Sequence, residues 1–143
     1  MTDCIFCKII EGEIPSAKVY EDDKVMAFLD LSQVTLGHTL VIPKKHVENV
    51  FEYDGDVSED LAIRIPVIAR AIKEAFPESK GLNIVNNNGE VAYQTVFHSH
   101  WHLIPRYERE EGFAMQFTNN QETYDQDEFN RRAETIAQKI HNA

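Results

Sequence analysis

The run His98-Ser99-His100-Trp101-His102 constrains this chain more than any other feature. Histidines at alternate positions, followed by Leu103 and Ile104, predict a β-strand over Phe97 to Ile104. In a strand every second side chain lies on one face, with roughly 7 Å between successive Cα atoms of that face, so three imidazoles line one surface. Imidazole is a nucleophile at neutral pH, a proton carrier and a metal ligand, and a row of three can divide these tasks. Spacing alone leaves the division open, because two such histidines and a third also suit a catalytic zinc whose bound water attacks the substrate.

The remaining periodicities place this strand in a mixed fold. Lys18 to Tyr20, Val25 to Leu29 and His38 to Ile42 read as a meander of short strands separated by Asp/Lys and Gly37 turn signals. Leu61, Ile65, Ile68, Ile72 and Phe76 fall at three- and four-residue steps, which predicts an amphipathic helix from about Ser58 to Phe76, capped by Asp56 or Ser58 and kinked or broken at Pro66. Leu82 to Val85 alternates as a strand, Asn87-Asn88-Gly89 reads as a turn, and Asp127 to Asn142 puts Phe129, Ala133, Ile136 and Ile140 on one face of a terminal helix. Strands with a helix between them, without regular strand-helix alternation, indicate an antiparallel α+β fold. No repeat or linker divides the chain, so residues 1–143 are expected to form a single domain.

Charge and cysteine usage narrow the function. With 24 acidic against 14 basic residues the net charge is -10, which repels a phosphate polymer and argues against nonspecific nucleic-acid binding. No apolar run reaches membrane-spanning length, and the N-terminus lacks secretory and transit features, so the expectation is a cytoplasmic protein with no membrane partner. In that compartment Cys4-x-x-Cys7 points to a metal or to redox chemistry rather than to a structural disulfide.

His98 to Ile104 matches the pattern His-x-His-x-His followed by two apolar residues, and the chain resembles the histidine triad family. The resemblance extends to Asp3 to Ile9, Ala27 to Asp30, Gly37 to His46, and Asn86 to Gly89 with Gln94 to Val96, in the expected order over about residues 3–106. The extension 107–143 lies outside it. The resemblance implies a five-stranded antiparallel sheet with two main helices, to which the terminal helix is added, and a symmetric homodimer.

The resemblance also implies the chemistry. His100 would attack the α-phosphorus of a purine nucleotide substrate and form a nucleotidyl-imidazole intermediate that water hydrolyses, its other ring nitrogen held by a backbone carbonyl. His102 would bond the phosphate oxygens. Asp30, Leu31, Asn87, Gly89, Gln94 and Thr95 would contact the nucleotide, Phe6, Ile9 and Leu29 would help wall the base, and His38 would support the triad by hydrogen bonding. Cys4 and Cys7, with His46 and His98, match the zinc-bearing Hint-like bacterial branch, where four protein ligands close a structural zinc site, one per chain.

Two positions depart from the family's pattern: Tyr93 stands where glycine is frequent, and Ser99 where an apolar residue is usual. Ser99 is expected to satisfy its hydroxyl on backbone, and Lys44, Lys45 and Arg106 read as surface. The expected activity is that of a nucleoside phosphoramidase or related nucleotidyl hydrolase. A dinucleoside polyphosphate hydrolase and a nucleotide-binding interaction protein with weak turnover are the alternatives.

Overall fold

The computed structural model describes residues 3–141. A short helix α1 (Ile5–Ile10) leads into strands β1 (Lys18–Glu21), β2 (Val25–Leu29) and β3 (Thr39–Pro43). The long helix α2 (Gly55–Ala75) is followed by β4 (Gly81–Asn86), β5 (Trp101–Arg106) and α3 (Gln126–Ala137). The strands form one antiparallel sheet in the order β1-β2-β3-β5-β4, the α+β arrangement expected from the sequence. Among the described residues no helix is long and apolar enough to cross a membrane.

Both faces of the sheet are covered, and the two-residue period of the strands sorts the side chains between them. Val25, Ala27, Val41 and Leu103 pack against Val57, Leu61, Ile68 and Ile72 of α2. Met26, Phe28, Leu40 and Ile42 point the other way and pack against Phe6 and Ile9 of α1. Each of the larger aliphatic side chains contributes about 2 kcal/mol by leaving water. The segment before β1 carries too few periodic residues to announce a helix, so α1 was not legible as one.

The helices differ from the sequence expectation at three points. Helix α2 starts at Gly55 because the Asp54 carboxylate accepts from the Val57 N–H (2.9 Å), so Asp54 is the cap in place of Asp56 or Ser58. The helix runs unbroken through Pro66, which lies on its exposed side, where the Ala62 carbonyl that loses its partner lies among exposed residues. Helix α3 ends at Ala137, leaving Ile140 beyond it, and Asn142 lies outside the described residues. No residue of α3 is buried.

Arg106 is no free surface charge. Its guanidinium donates to Glu111 Oε1 (3.0 Å), Asn83 Oδ1 (2.8 Å) and the carbonyls of Arg109 (2.7 Å) and Phe113 (2.8 Å), tying the turn after β5 to the end of the sheet.

Candidate active site

The triad run straddles the start of β5. The sheet ladder begins at Trp101, so His98, Ser99 and His100 precede it, although a strand was expected from Phe97. Alternation nevertheless holds. Ser99 and Trp101 face α2, where the Tyr53 hydroxyl lies 2.6 Å from Ser99 Oγ and accepts from Trp101 Nε1 at 3.0 Å. Ser99 therefore satisfies its hydroxyl on a side chain, not on backbone as expected. Its own N–H donates to the Val47 carbonyl (2.7 Å), and Asn86 Nδ2 donates to the His100 carbonyl (2.9 Å). Side chains and one backbone bond outside the ladder thus hold the part of the run that the ladder does not.

On the opposite face, the Phe6 ring lies edge-on to both His98 and His100, with the His100 centroid at 5.0 Å, and His100 stands 5.1 Å from His102. His100 is 7% exposed, and its Nδ1 lies 2.8 Å from the His98 carbonyl. A carbonyl only accepts, so Nδ1 carries the proton and Nε2 keeps its lone pair. Burial depresses the His100 pKa, which favours this neutral form.

His102 is set by a relay through β3. The Val34 N–H donates to His38 Nδ1 (3.3 Å), which puts the His38 proton on Nε2, 2.9 Å from His102 Nδ1 and 3.7 Å from Asp30 Oδ2. His102 Nδ1 accepts, and its Nε2–H remains as a donor. Burial, then the neighbouring His100 and His38, lower the His102 pKa to about 4. Burial lowers that of His38 too, against the pull of Asp30. Asp30, His38 and His102 bring potential metal ligands within 4.8 Å of one another. The proton on His38 Nε2 points into that cluster, which makes it a hydrogen-bond relay rather than a cation site.

His100 and His102 open on a cleft of about 350 Å³. Phe6, Ile9, Phe28, Leu29 and Leu40 supply apolar lining; Asp30, Asn87 and Thr95 supply polar groups. Asp30 Oδ1 accepts from the Ser32 N–H (2.7 Å) and hydroxyl (2.6 Å). Burial raises its pKa, but these bonds outweigh burial and hold the carboxyl below its usual range. Leu31 is fully exposed at the mouth.

Gly89 and Gln94, expected as nucleotide contacts, do not line the cleft. The Gln94 side chain is buried: its Oε1 accepts from the Gly89 N–H (2.8 Å) and its Nε2 donates to the carbonyls of Glu48 (2.7 Å) and Val96 (3.1 Å). Gly89 adopts φ +94°, a region open to glycine. The pair braces the loop that carries Tyr93 and Thr95 to the cleft.

Behind Phe6, a second cluster gathers Cys4, Cys7, His46 and His98, with potential ligand atoms within 4.8 Å of one another. His98 is fully buried, and its Nε2–H donates to the Pro43 carbonyl (2.8 Å), which turns the Nδ1 lone pair toward the thiols. Nδ1 lies 3.4 Å from Cys4 Sγ and 3.6 Å from Cys7 Sγ, and His46 Nδ1 lies 3.3 Å from Cys7 Sγ. A tetrahedral ion with bonds of about 2.3 Å to sulfur and about 2.1 Å to nitrogen separates those atoms by about 3.5 Å. The donor set therefore fits such an ion. Burial and the adjacent Cys4 push the Cys7 thiol up to about 11, a cost that a bound cation reverses by favouring thiolate.

A sequence profile of the HIT domain matches residues 11–109. The chain belongs to the HIT family. A HIT family member from Bacillus subtilis, known from its crystal structure, superposes with a TM-score of 0.94 at 50% identity, covering 99% of each chain. The adenosine 5'-monophosphoramidase HNT1 of Candida albicans is 38% identical over 115 residues, 78% of this chain and 76% of that one. A Zn-bound histidine triad family protein from Mycobacterium smegmatis matches with a TM-score of 0.73 at 35% identity, over 85% of this chain and 88% of its own. As a HIT protein this chain has the family's five-stranded antiparallel sheet. Sequence reasoning missed Tyr53 and the strut role of Gln94, because neither carries a local signal; Asn86 lay in the asparagine run that carries the resemblance, which gave it no role of its own.

Proposed function

We propose that this HIT protein hydrolyses nucleoside phosphoramidates, or related nucleotidyl substrates, at the α-phosphorus through a covalent intermediate on His100. The observation that carries this reading is the bond from His100 Nδ1–H to the His98 carbonyl, which leaves the Nε2 lone pair available in a buried site. Nε2 forms a bond to phosphorus as the bond from phosphorus to the leaving group breaks, Nδ1 keeps its proton against the His98 carbonyl, and the leaving nitrogen takes a proton from solvent at the open side of the cleft. Water then displaces Nε2 and releases the nucleoside monophosphate. His102, given its Nε2–H by the His38 relay, donates to the phosphoryl oxygens as charge develops. Asp30 takes the ribose hydroxyls, and Phe6, Ile9, Leu29 and Leu31 take a flat purine. The named activity of the Candida albicans relative supports the substrate class.

Cys4, Cys7, His46 and His98 would hold a structural zinc, as in the zinc-bearing Hint-like branch; the metal-bound Mycobacterium smegmatis relative and the spacing of the donors support this. Four protein ligands leave no position for substrate, so the metal would pin α1 to the sheet without activating water. The working unit would be a homodimer, which would cover apolar groups left exposed here, among them Ile84 on edge strand β4 and Ile136 on α3.

The test is intact-protein mass spectrometry after mixing with an adenosine phosphoramidate and quenching in mild alkali. Wild type should gain one adenylate, and His100→Ala and His100→Gly should gain none and turn over about 10⁴-fold more slowly or worse. Rapid hydrolysis without an adduct would indicate direct attack by water. Product analysis with a dinucleoside polyphosphate separates the polyphosphate hydrolase, and neither adduct nor turnover with any substrate would leave a nucleotide-binding protein.

A further inference from the structure

We infer that Tyr93 is a specificity-determining residue that receives a flat aromatic ring on the leaving group. The inference rests on the covalent reading above and adds a leaving-group class to it. Tyr93 is held at φ +69°, in the left-handed region that a bulky aromatic residue rarely adopts. Its N–H donates to the Glu90 carbonyl (3.0 Å) and the Gln94 N–H to the Gly89 carbonyl (3.1 Å), so the turn imposes the conformation. The ring is 83% exposed yet lines the same cleft as His100 and His102, and its hydroxyl has no hydrogen-bond partner among the described residues. A ring this exposed and strained adds little to the core.

The direction of displacement says what it meets. Attacking and leaving groups lie in line through the phosphorus. His100 is buried at the floor, so the leaving group points outward to the mouth, where the exposed Tyr93 stands. Tyr93 offers an aromatic face there, on which another ring stacks with a preference beyond its buried area.

The test compares kcat/KM for adenosine phosphoramidates of benzylamine and cyclohexylmethylamine, which match in size but differ in flatness. Wild type should favour the benzyl compound by about three- to tenfold, Tyr93→Phe should keep that ratio, and Tyr93→Leu should bring it near one. Tyr93→Gly should also lose the ratio while keeping or raising the melting temperature, because glycine relieves the positive φ. A structural role for Tyr93 predicts the opposite, a lower melting temperature with the ratio intact. A wild-type ratio near one, or one unchanged in Tyr93→Leu, overturns the inference while the covalent reading stands. Absence of both turnover and adduct overturns both. A dinucleoside polyphosphate arm separates an aromatic amine from a second nucleobase as the source of the ring, since a preference for the latter appears only with that substrate.

Discussion

The two ends of the triad run use the same side chain for different ends. At His98 the proton sits on Nε2, given to the Pro43 carbonyl, and the lone pair on Nδ1 faces two thiols and His46 in a half-buried cluster. Two residues on, the His98 carbonyl takes the proton of His100 Nδ1, and the lone pair is on Nε2 beside an open cleft. His102 inverts the pattern again, because His38 donates to its Nδ1 and leaves it a donor at Nε2. Role follows from which ring nitrogen the fold has already engaged, and a backbone carbonyl in the right place suffices to choose.

The largest effect that would break this comparison comes from the closed end. Cys7→Ser should lose bound zinc, measured by elemental analysis, and lower the melting temperature by about 10 °C. His100 in the surviving folded protein should still take an adenylate. Unchanged zinc content and melting temperature would instead mark Cys4 and Cys7 as plain thiols, and would dissolve the distinction between the two ends.

A smaller effect probes what holds the run between them. Tyr53→Phe leaves Ser99 Oγ and Trp101 Nε1 without their partner, which should cost about 2 kcal/mol in denaturant unfolding. Adding Ser99→Ala should recover part of that loss, since it removes one of the orphaned groups. Identical unfolding midpoints for wild type and Tyr53→Phe would show that the sheet ladder alone holds the histidines.

An effect confined to acid pH sharpens the open end. The folded His102 has a pKa of about 4 against an ordinary 6.5. Between those values the unfolded chain binds the proton and the folded chain does not, so stability falls as pH drops through that window and is level above it. His102→Asn should make the slope of stability against pH shallower between about 6.5 and 4 when melting is followed in matched buffers, the remainder belonging to His98, which burial also lowers to about 4. An unaltered slope would place the acid sensitivity on other groups.

Much of the fold was legible because it rests on local periodicity. The short apolar runs of β2 and β3, the helical steps of Leu61, Ile68 and Ile72, and the alternation of the triad itself are each contained within a few residues. The resemblance then named the cleft residues Asp30, Asn87 and Thr95 and the cluster of Cys4, Cys7, His46 and His98, and the structure brings each set together. Gly89 and Gln94 fared differently: they share the loop of the cleft residues, but the buried amide of Gln94 is spent on the backbone of that loop.

The sequence by itself determined that three imidazoles share a face, that a cysteine pair precedes the first strand, and that strands and one long helix build an α+β domain. Only the tertiary structure decided which ring nitrogen of His98 and of His102 is free, which atoms bring His98 to the thiols, and what supports the run from behind. Those decisions rest on partners 94 residues apart for Cys4 and His98, 64 for His38 and His102, and 46 for Tyr53 and Ser99. A hydrogen bond needs its two atoms within about 3 Å, and no short-range pattern records a meeting between positions so far apart along the chain.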